Sequence, residues 1–426
     1  MTVIAGDPTT TLLARRWRDP AAWMTTVDIL AVLIALSLPW STSLVAIFAV
    51  ALLITRIPFL DVKAFLELLR QPICAAPVAL VLLACVGTLW SDADWAIRLH
   101  GINPATKLLM LPVLFYHFQR SERGLWVFVA FLISCTLMTA MSWIVLYHPE
   151  LSLRKFDPEP GIFVKSHIQQ SQEFTLCAVA LAYPIIASLR TRKFATTALL
   201  AAIVVNLLVD MAFVTVSRTA LVTMPIMLAV FGLLHLRWRT NFAIFCGLIA
   251  ISVAAWAVSP RLQGRIASFA REYRIYKEDN QLSSIGSRLE YWEKSSRFFV
   301  EAPIIGHGTG STRGLFEQAA TAPAVLVGGQ VVSNPHNQTL NVAVQWGIVG
   351  IAILYALWAV HLRLFRGESL ASWIGLLVVV QNIFTSLFNS HLFDFHEGWM
   401  YVLGVGVAGG MVLKARPADP TAGTTG

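Results

Sequence analysis

Three positions in this chain join a reactive side chain to a helix-start signal. In Asn334-Pro335-His336 a favoured N-cap residue is followed by a favoured first helical residue, so the spacing predicts that His336 opens an apolar helix. The positive end of a helix disfavours imidazolium and leaves a neutral ring that can accept a proton near neutral pH, as a general base must. Ser287-Arg288-Leu289-Glu290 reads as a capping box, with Ser287 as N-cap and Glu290 at the third helical position. Arg288 then falls in the first turn of a helix whose Leu289, Trp292, Ser296, Phe299 and Val300 share a face, and which stops before Pro303. Ser217 can cap a third helix and so place Arg218 in its first turn. An arginine beside unpaired backbone N–H groups makes a site for phosphate. Two of these positions also have a plainer reading: His336 as a structural or interfacial histidine, and Arg218 as a cation snorkelling to a membrane surface. Asp210, two turns before Arg218, is a carboxylate inside an apolar run that could pair with it.

Other polar clusters carry weaker chemistry. His391, Asp394, His396 and Glu397 lie close together, but HExxH is absent and they read as a helix-end polar cluster rather than a metal site. Gly306, Gly308 and Gly310 lack both GK[ST] and a preceding strand, so a turn is expected there and not a phosphate loop. Arg261, Arg265, Arg271, Arg274 and Lys277, interleaved with Tyr273 and Tyr276, fit either a solvated amphipathic helix or a contact for anionic headgroups. Gly347-x-x-Gly350 is a step at which another helix or a lipid chain can approach the backbone. The five cysteines have no CxxC spacing and read as small buried hydrophobes.

The elements that must position these residues are membrane helices. The chain is 56% hydrophobic and 13% charged, against roughly 25% charged in soluble domains, which excludes a soluble fold. Apolar runs near 23–40, 42–59, 73–90, 104–118, 124–147, 172–189, 194–216, 218–236, 241–258, 337–362, 370–389 and 397–413 predict about twelve spans, the fourth short enough to be re-entrant. The net charge of +8 resides in short basic clusters between the runs, such as Arg120 with Arg123 and Arg190 with Arg192 and Lys193. That pattern is an orientation signal rather than a nucleic-acid surface, and it places both termini in the cytoplasm. The expected organisation is a cytoplasmic segment 1–22 containing Arg15, Arg16 and Arg18, helices one to nine over 23–258, an outer loop over 259–335, helices ten to twelve over 336–413, and a disordered cytoplasmic tail over 414–426. So long a hydrophilic loop is uncommon without a function.

His336-Asn337, nine residues, then Gly347-x-x-Gly350 resembles the signature of the superfamily of bacterial O-antigen ligases, O-antigen polymerases and protein O-oligosaccharyltransferases. Ser217-Arg218-Thr219-Ala220 resembles its outer-face arginine, and Ser287-Arg288 with Trp292, then Pro303-Ile304-Ile305-Gly306-His307-Gly308-Thr309-Gly310, resembles the loop before its histidine. Thr339 and Gln345 depart from the aromatic and the acid often found after that histidine. The resemblance implies an all-α integral membrane fold of the GT-C glycosyltransferase type with a long helical periplasmic loop. It further implies glycan transfer from undecaprenyl diphosphate at the periplasmic face of the bacterial inner membrane, without cofactor, metal or nucleic acid, and with inversion. Chain length and the single dominant outer loop point within the superfamily to the O-antigen ligase, whose acceptor is a lipid A-core sugar in lipopolysaccharide biosynthesis. Polymerase and protein-glycosylating members stay as alternatives, and a lipid-linked glycan flippase is the rival outside it. The implied catalytic set is His336 as base, with Arg218 and Arg288 on the diphosphate. Asn337, Trp292, Asp394 and Arg265 are expected as substrate contacts, and Gly347 and Gly350 as packing.

Overall fold

The computed structural model describes residues 20–154, 159–235, 238–278, 283–323 and 328–415. Among these the chain is helical, with no strand. In order the helices are α1 Pro20–Ser37, α2 Thr42–Arg56, α3 Val62–Leu69, α4 Pro72–Val86, α5 Trp95–Thr106, α6 Met110–Phe118, α7 Gly124–Tyr147, α8 His167–Ala180, α9 Ala182–Arg190, α10 Phe194–Phe213, α11 Arg218–His235, α12 Trp238–Val258, α13 Pro260–Glu278, α14 Ser284–Glu301, α15 Thr312–Gln318, α16 Gln338–Leu364, α17 Leu370–Thr385 and α18 Phe395–Ala415. The basic N-terminal cluster Arg15, Arg16 and Arg18 and the tail 416–426 lie outside the described residues.

A helix stands under every expected apolar run, yet twelve full spans are not reached. Among the described residues seven helices are long and apolar enough to cross a membrane, or eight if Phe245–Val258 and Pro260–Tyr276, bent by 94°, count as one span. Three more, Ala21–Ser37, Arg218–Leu234 and Leu370–Thr385, are apolar but shorter. The run at 104–118 is broken by a 3₁₀ turn at Lys107–Leu109, and its second half is the nine-residue, wholly buried α6. At the break Lys107 turns inward, its ammonium donating to the carbonyls of Phe393 at 2.7 Å and Asp394 at 2.6 Å. Ile47, Ile54, Leu82, Leu137, Leu199 and Val205 are exposed on outward helix faces, as a multi-pass membrane protein in lipid requires.

The core runs along α18, which small residues make approachable. A Cβ at Gly409 would lie 2.1 Å from the Phe115 ring and one at Gly406 2.7 Å from Leu114, so α6 seats directly on the α18 backbone. The hydrophilic segment after α12 is itself helical. Ser259 opens it: its hydroxyl donates to Ala212 O at 2.8 Å and accepts from Leu262 N at 3.2 Å, capping α13 at the bend.

Gly347 interrupts α16 with φ 59° and ψ −152°, which only glycine adopts at low cost. The turn Pro303–Gly308 fills the break. Ile348 N donates to Pro303 O at 2.8 Å, His307 N to Val344 O at 2.9 Å and Gly308 N to Gln345 O at 2.9 Å, so the turn satisfies the backbone groups the break frees. The partner of the Gly347 step is therefore this turn, not the helix or lipid chain expected. A Cβ at Gly347 would meet the Ile304 carbonyl at 2.4 Å, and one at Gly306 the Gln345–Trp346 peptide at 2.5 Å.

Candidate functional site

His336 precedes the helix it was expected to begin. The N-cap of α16 is Asn337, whose side chain accepts from Leu340 N at 3.1 Å, so Asn337 has a structural duty. Its Nδ2 also donates to Leu387 O at 3.2 Å. Asn334 serves the residue before the cap: its Oδ1 accepts from His336 N at 2.9 Å and from the Ser390 hydroxyl at 2.7 Å. That clamp holds His336 at φ 53°, a left-handed conformation costly for a residue with a Cβ. The ring is then fixed on both sides. Its Nδ1 lies 2.8 Å from Asn389 Oδ1, and its face stacks on Tyr291 with centroids 5.9 Å apart and planes at 28°. With the amide oxygen of Asn389 accepting, the proton sits on Nδ1 and the Nε2 lone pair is left to accept another.

Burial first, and the Arg288 cation after it, hold the His336 imidazole below its ordinary value, against the Asn389 hydrogen bond that favours the charged form. The direction is the expected one, and burial is its largest cause. His391, almost fully buried, is pushed down to about 3, by burial first and by the Arg288 cation after it.

Arg288 sits one turn further along its helix than predicted. The cap of α14 is Ser283, accepting from Gly286 N at 3.0 Å, so Arg288 is the fifth helical residue and Ser287-x-x-Glu290 is not a capping box. The reason is tertiary: Ser283 Oγ also donates to Glu272 O at 2.9 Å, and Tyr276 packs on Gly286, where a Cβ would come within 2.4 Å of the ring. Burial and then the Arg218 cation push the Arg288 guanidinium below its usual value, while Glu272 and Tyr291 pull it back. Arg218 is the first residue of α11, as expected. Its partner is not Asp210, whose carboxylate accepts from Thr215 Oγ1 at 2.9 Å. Instead both guanidinium nitrogens of Arg218 bind the Glu272 carboxylate, Nη1 at 3.1 Å from Oε2. Arg218 and Arg288 thus act on each other, and Arg288 acts on His336, although 118 residues separate the ends of this chain of interactions.

The remaining expected residues divide. Trp292 packs with Tyr291, Phe298, Phe316 and Val344 beneath the histidine, and its indole N–H is buried without a partner. Asp394 lies next to His391, 4.0 Å from Nε2, with Glu397 Oε1 at 3.9 Å. Burial raises Asp394 to about 7 against the opposing pull of Lys107. The ligand atoms of His391, Asp394 and Glu397 lie within 4.8 Å of one another, a spacing that suits a cation, and the Lys107 ammonium already supplies positive charge there. Arg265 is on α13, and its side chain, like that of Lys277, lies outside what is described. Asn389, Tyr291 and Glu272 escaped the sequence reading. Asn389 stands in Phe388-Asn389-Ser390-His391, adjacent to a histidine that was singled out, and no spacing rule joins it to His336.

Fold and site together define a multi-pass helical membrane protein with a neutral histidine and two interacting arginines gathered where helices begin. Residues 202–355 match the family model described as O-Antigen ligase, a match over that stretch that supports membership of the O-antigen ligase family. The matched stretch contains Arg218, Arg288, His336, Gly347 and Gly350, whereas Asn389, His391 and Asp394 fall after it. No curated protein matches the chain.

Proposed function

We propose that this protein is an inverting, metal-independent membrane glycosyltransferase of the ligase type. It moves a polysaccharide from undecaprenyl diphosphate to a sugar hydroxyl of lipid A-core at the periplasmic face of the bacterial inner membrane, with both termini cytoplasmic. The observation that carries this reading is the union of a neutral, oriented imidazole with two arginines inside the family-matched stretch. The acceptor oxygen attacks the anomeric carbon, the bond from that carbon to the phosphate oxygen breaks, and its electron pair leaves on the diphosphate. His336 Nε2 takes the acceptor proton, and the Asn389 hydrogen bond keeps the ring in the tautomer that allows it. Arg288, with Arg218 once it is released from Glu272, neutralises the charge that grows on the departing diphosphate in a partly dehydrated site. Inversion requires the acceptor oxygen to enter on the face of the reacting carbon opposite the departing diphosphate, with His336 serving the first and the arginines the second. Asp394, a quarter exposed and raised by burial to about 7, is the group we assign to an acceptor-sugar hydroxyl.

The test combines purified protein, lipid-linked glycan and lipid A-core in detergent. Label passing into lipid A-core is the expected result. Label in a longer lipid-linked polymer or in protein would reassign the acceptor, and no covalent product without a sealed membrane would return the chain to transport.

A further inference from the structure

The Arg218 guanidinium, on which the proposed chemistry depends, already grips an anion. Glu272 on α13 puts one carboxylate oxygen against Arg218 Nη2 and the other 3.1 Å from Nη1 and 3.3 Å from the backbone N–H of Ile285, the second residue of α14. Arg288 lies close enough to the same carboxylate to be stabilised by it. A fork of two N–H donors, an amide at the positive end of an eighteen-residue helix and a second guanidinium are the groups that bind a phosphoryl oxygen. Beside them Ser217, 3% exposed, has a buried hydroxyl without a hydrogen-bond partner.

The carrier of that carboxylate is attached to the bundle at a bend. α13 leaves α12 through the 94° turn at Ser259–Pro260. A cavity of about 290 Å³ lies along its first turns, lined by Arg261 and Gly264 of α13, Glu159 of the α7–α8 connection, His167 at the start of α8, and Val214 and Val216 just before Arg218. A Cβ at Gly264 would meet nothing within 4 Å. Ser268, one turn before Glu272, also accepts from Arg218, so α13 holds the guanidinium at two successive turns.

We propose that Glu272 is a built-in competitor for the donor diphosphate: Arg218, Arg288 and the Ile285 N–H form an oxyanion subsite that the Glu272 carboxylate fills at rest and a phosphoryl group fills in the working complex. This rests on the glycosyl-transfer reading for the identity of the phosphoryl group, but not for the existence of the subsite. Glu272 then has two effects. It keeps two neighbouring arginines from repelling each other across an empty site, and it sets how strongly an anion must bind to enter.

Inorganic pyrophosphate binding to the full chain in detergent, measured by calorimetry, tests the subsite without any transfer step. Glu272→Gln, which keeps the shape and removes the charge, is expected to bind pyrophosphate at least tenfold more tightly than the wild type. Adding Arg218→Ala to that variant is expected to erase the gain. Glu272→Asp, which keeps the charge but shortens its reach, gives a smaller gain and serves if the amide variant does not fold. Equal or weaker binding by Glu272→Gln or Glu272→Asp, at an unchanged melting temperature, would overturn the proposal. Tighter binding in a protein that transfers no glycan would uphold the subsite and sink the enzyme; transfer by the wild type with no tightening in either variant would do the reverse.

Discussion

Replacing Gly347 by alanine should damage this protein far more than the same change at Gly350, three residues away. At Gly347 the backbone has φ 59° and ψ −152°, and forcing a residue with a Cβ into such a region costs about 1–3 kcal/mol. The new methyl would stand 2.4 Å from the Ile304 carbonyl carbon and oxygen, which are backbone atoms and cannot rotate aside. Relieving that clash pulls the Pro303–Ile305 turn away from α16 and breaks at least one of Ile348 N to Pro303 O and Val349 N to Ile304 O, now 2.8 and 3.3 Å. A backbone group left unpaired in apolar surroundings adds about 1–3 kcal/mol, for a total of roughly 2–6 kcal/mol. At Gly350 the methyl meets the side chains of Trp346 and Val342, both at 2.8 Å, and comes no nearer than 3.4 Å to the Val342 carbonyl oxygen, and overpacking of that kind costs about 1–3 kcal/mol. Thermal unfolding in detergent, followed by tryptophan emission at a fixed scan rate, should therefore rank wild type above Gly350→Ala above Gly347→Ala. At about 2 °C per kcal/mol for a large chain, the last falls by roughly 4–12 °C. Gly347→Ala melting with the wild type, or above Gly350→Ala, would show that the turn does not hold the broken helix together.

Other expectations concern the site. His336→Ala should abolish transfer with little loss of folded protein, and His336→Asn should fold at least as well, because asparagine tolerates the left-handed backbone, yet be equally inactive; residual turnover in either variant, assayed on labelled donor, would refute the base. Because His336 is held below its ordinary value of about 6.5, the acid limb of kcat/KM should have its midpoint below that pH. Asn389 favours the charged ring, so Asn389→Ala should move the midpoint lower still while reducing kcat through loss of ring orientation; an upward shift would contradict the assignment. Arg288→Ala should cost about 10²–10³ in kcat, the usual loss for one donor to a developing oxyanion, and Arg288→Lys should recover only part of it because the planar fork is gone.

How far the sequence could be read follows from which forces are local. The helices under the apolar runs were legible because lipid imposes one rule on every span, and Gly124–Tyr147 matches its predicted bounds at both ends. Arg218 as the first residue of a helix was legible too, since a polar residue at a short break leaves few alternatives. The caps of the other two helix starts were misplaced by three or four residues because two serines, or two asparagines, compete within one short segment. Ser283 prevails over Ser287 through its second bond to Glu272 O, and Asn337 over Asn334 because Ser390 engages the latter. Neither partner is visible from within the segment. The Glu272 pairing and the Asn389 contact join residues 54 and 53 positions apart, with no periodicity to announce them.

The turn inserted at Gly347 divides the machinery into two mechanical parts. Pro303–Gly308 follows directly on α14 and is stitched into α16, so the helix bearing Arg288 and the peptide bearing His336 form one stiff frame. Arg218 is on a different helix, α11, and is gripped by Glu272 and Ser268 of α13. The second cation is thus held by a helix that leaves the bundle at the bend of Ser259–Pro260, and that same helix caps the start of α14 through Ser283 and Glu272.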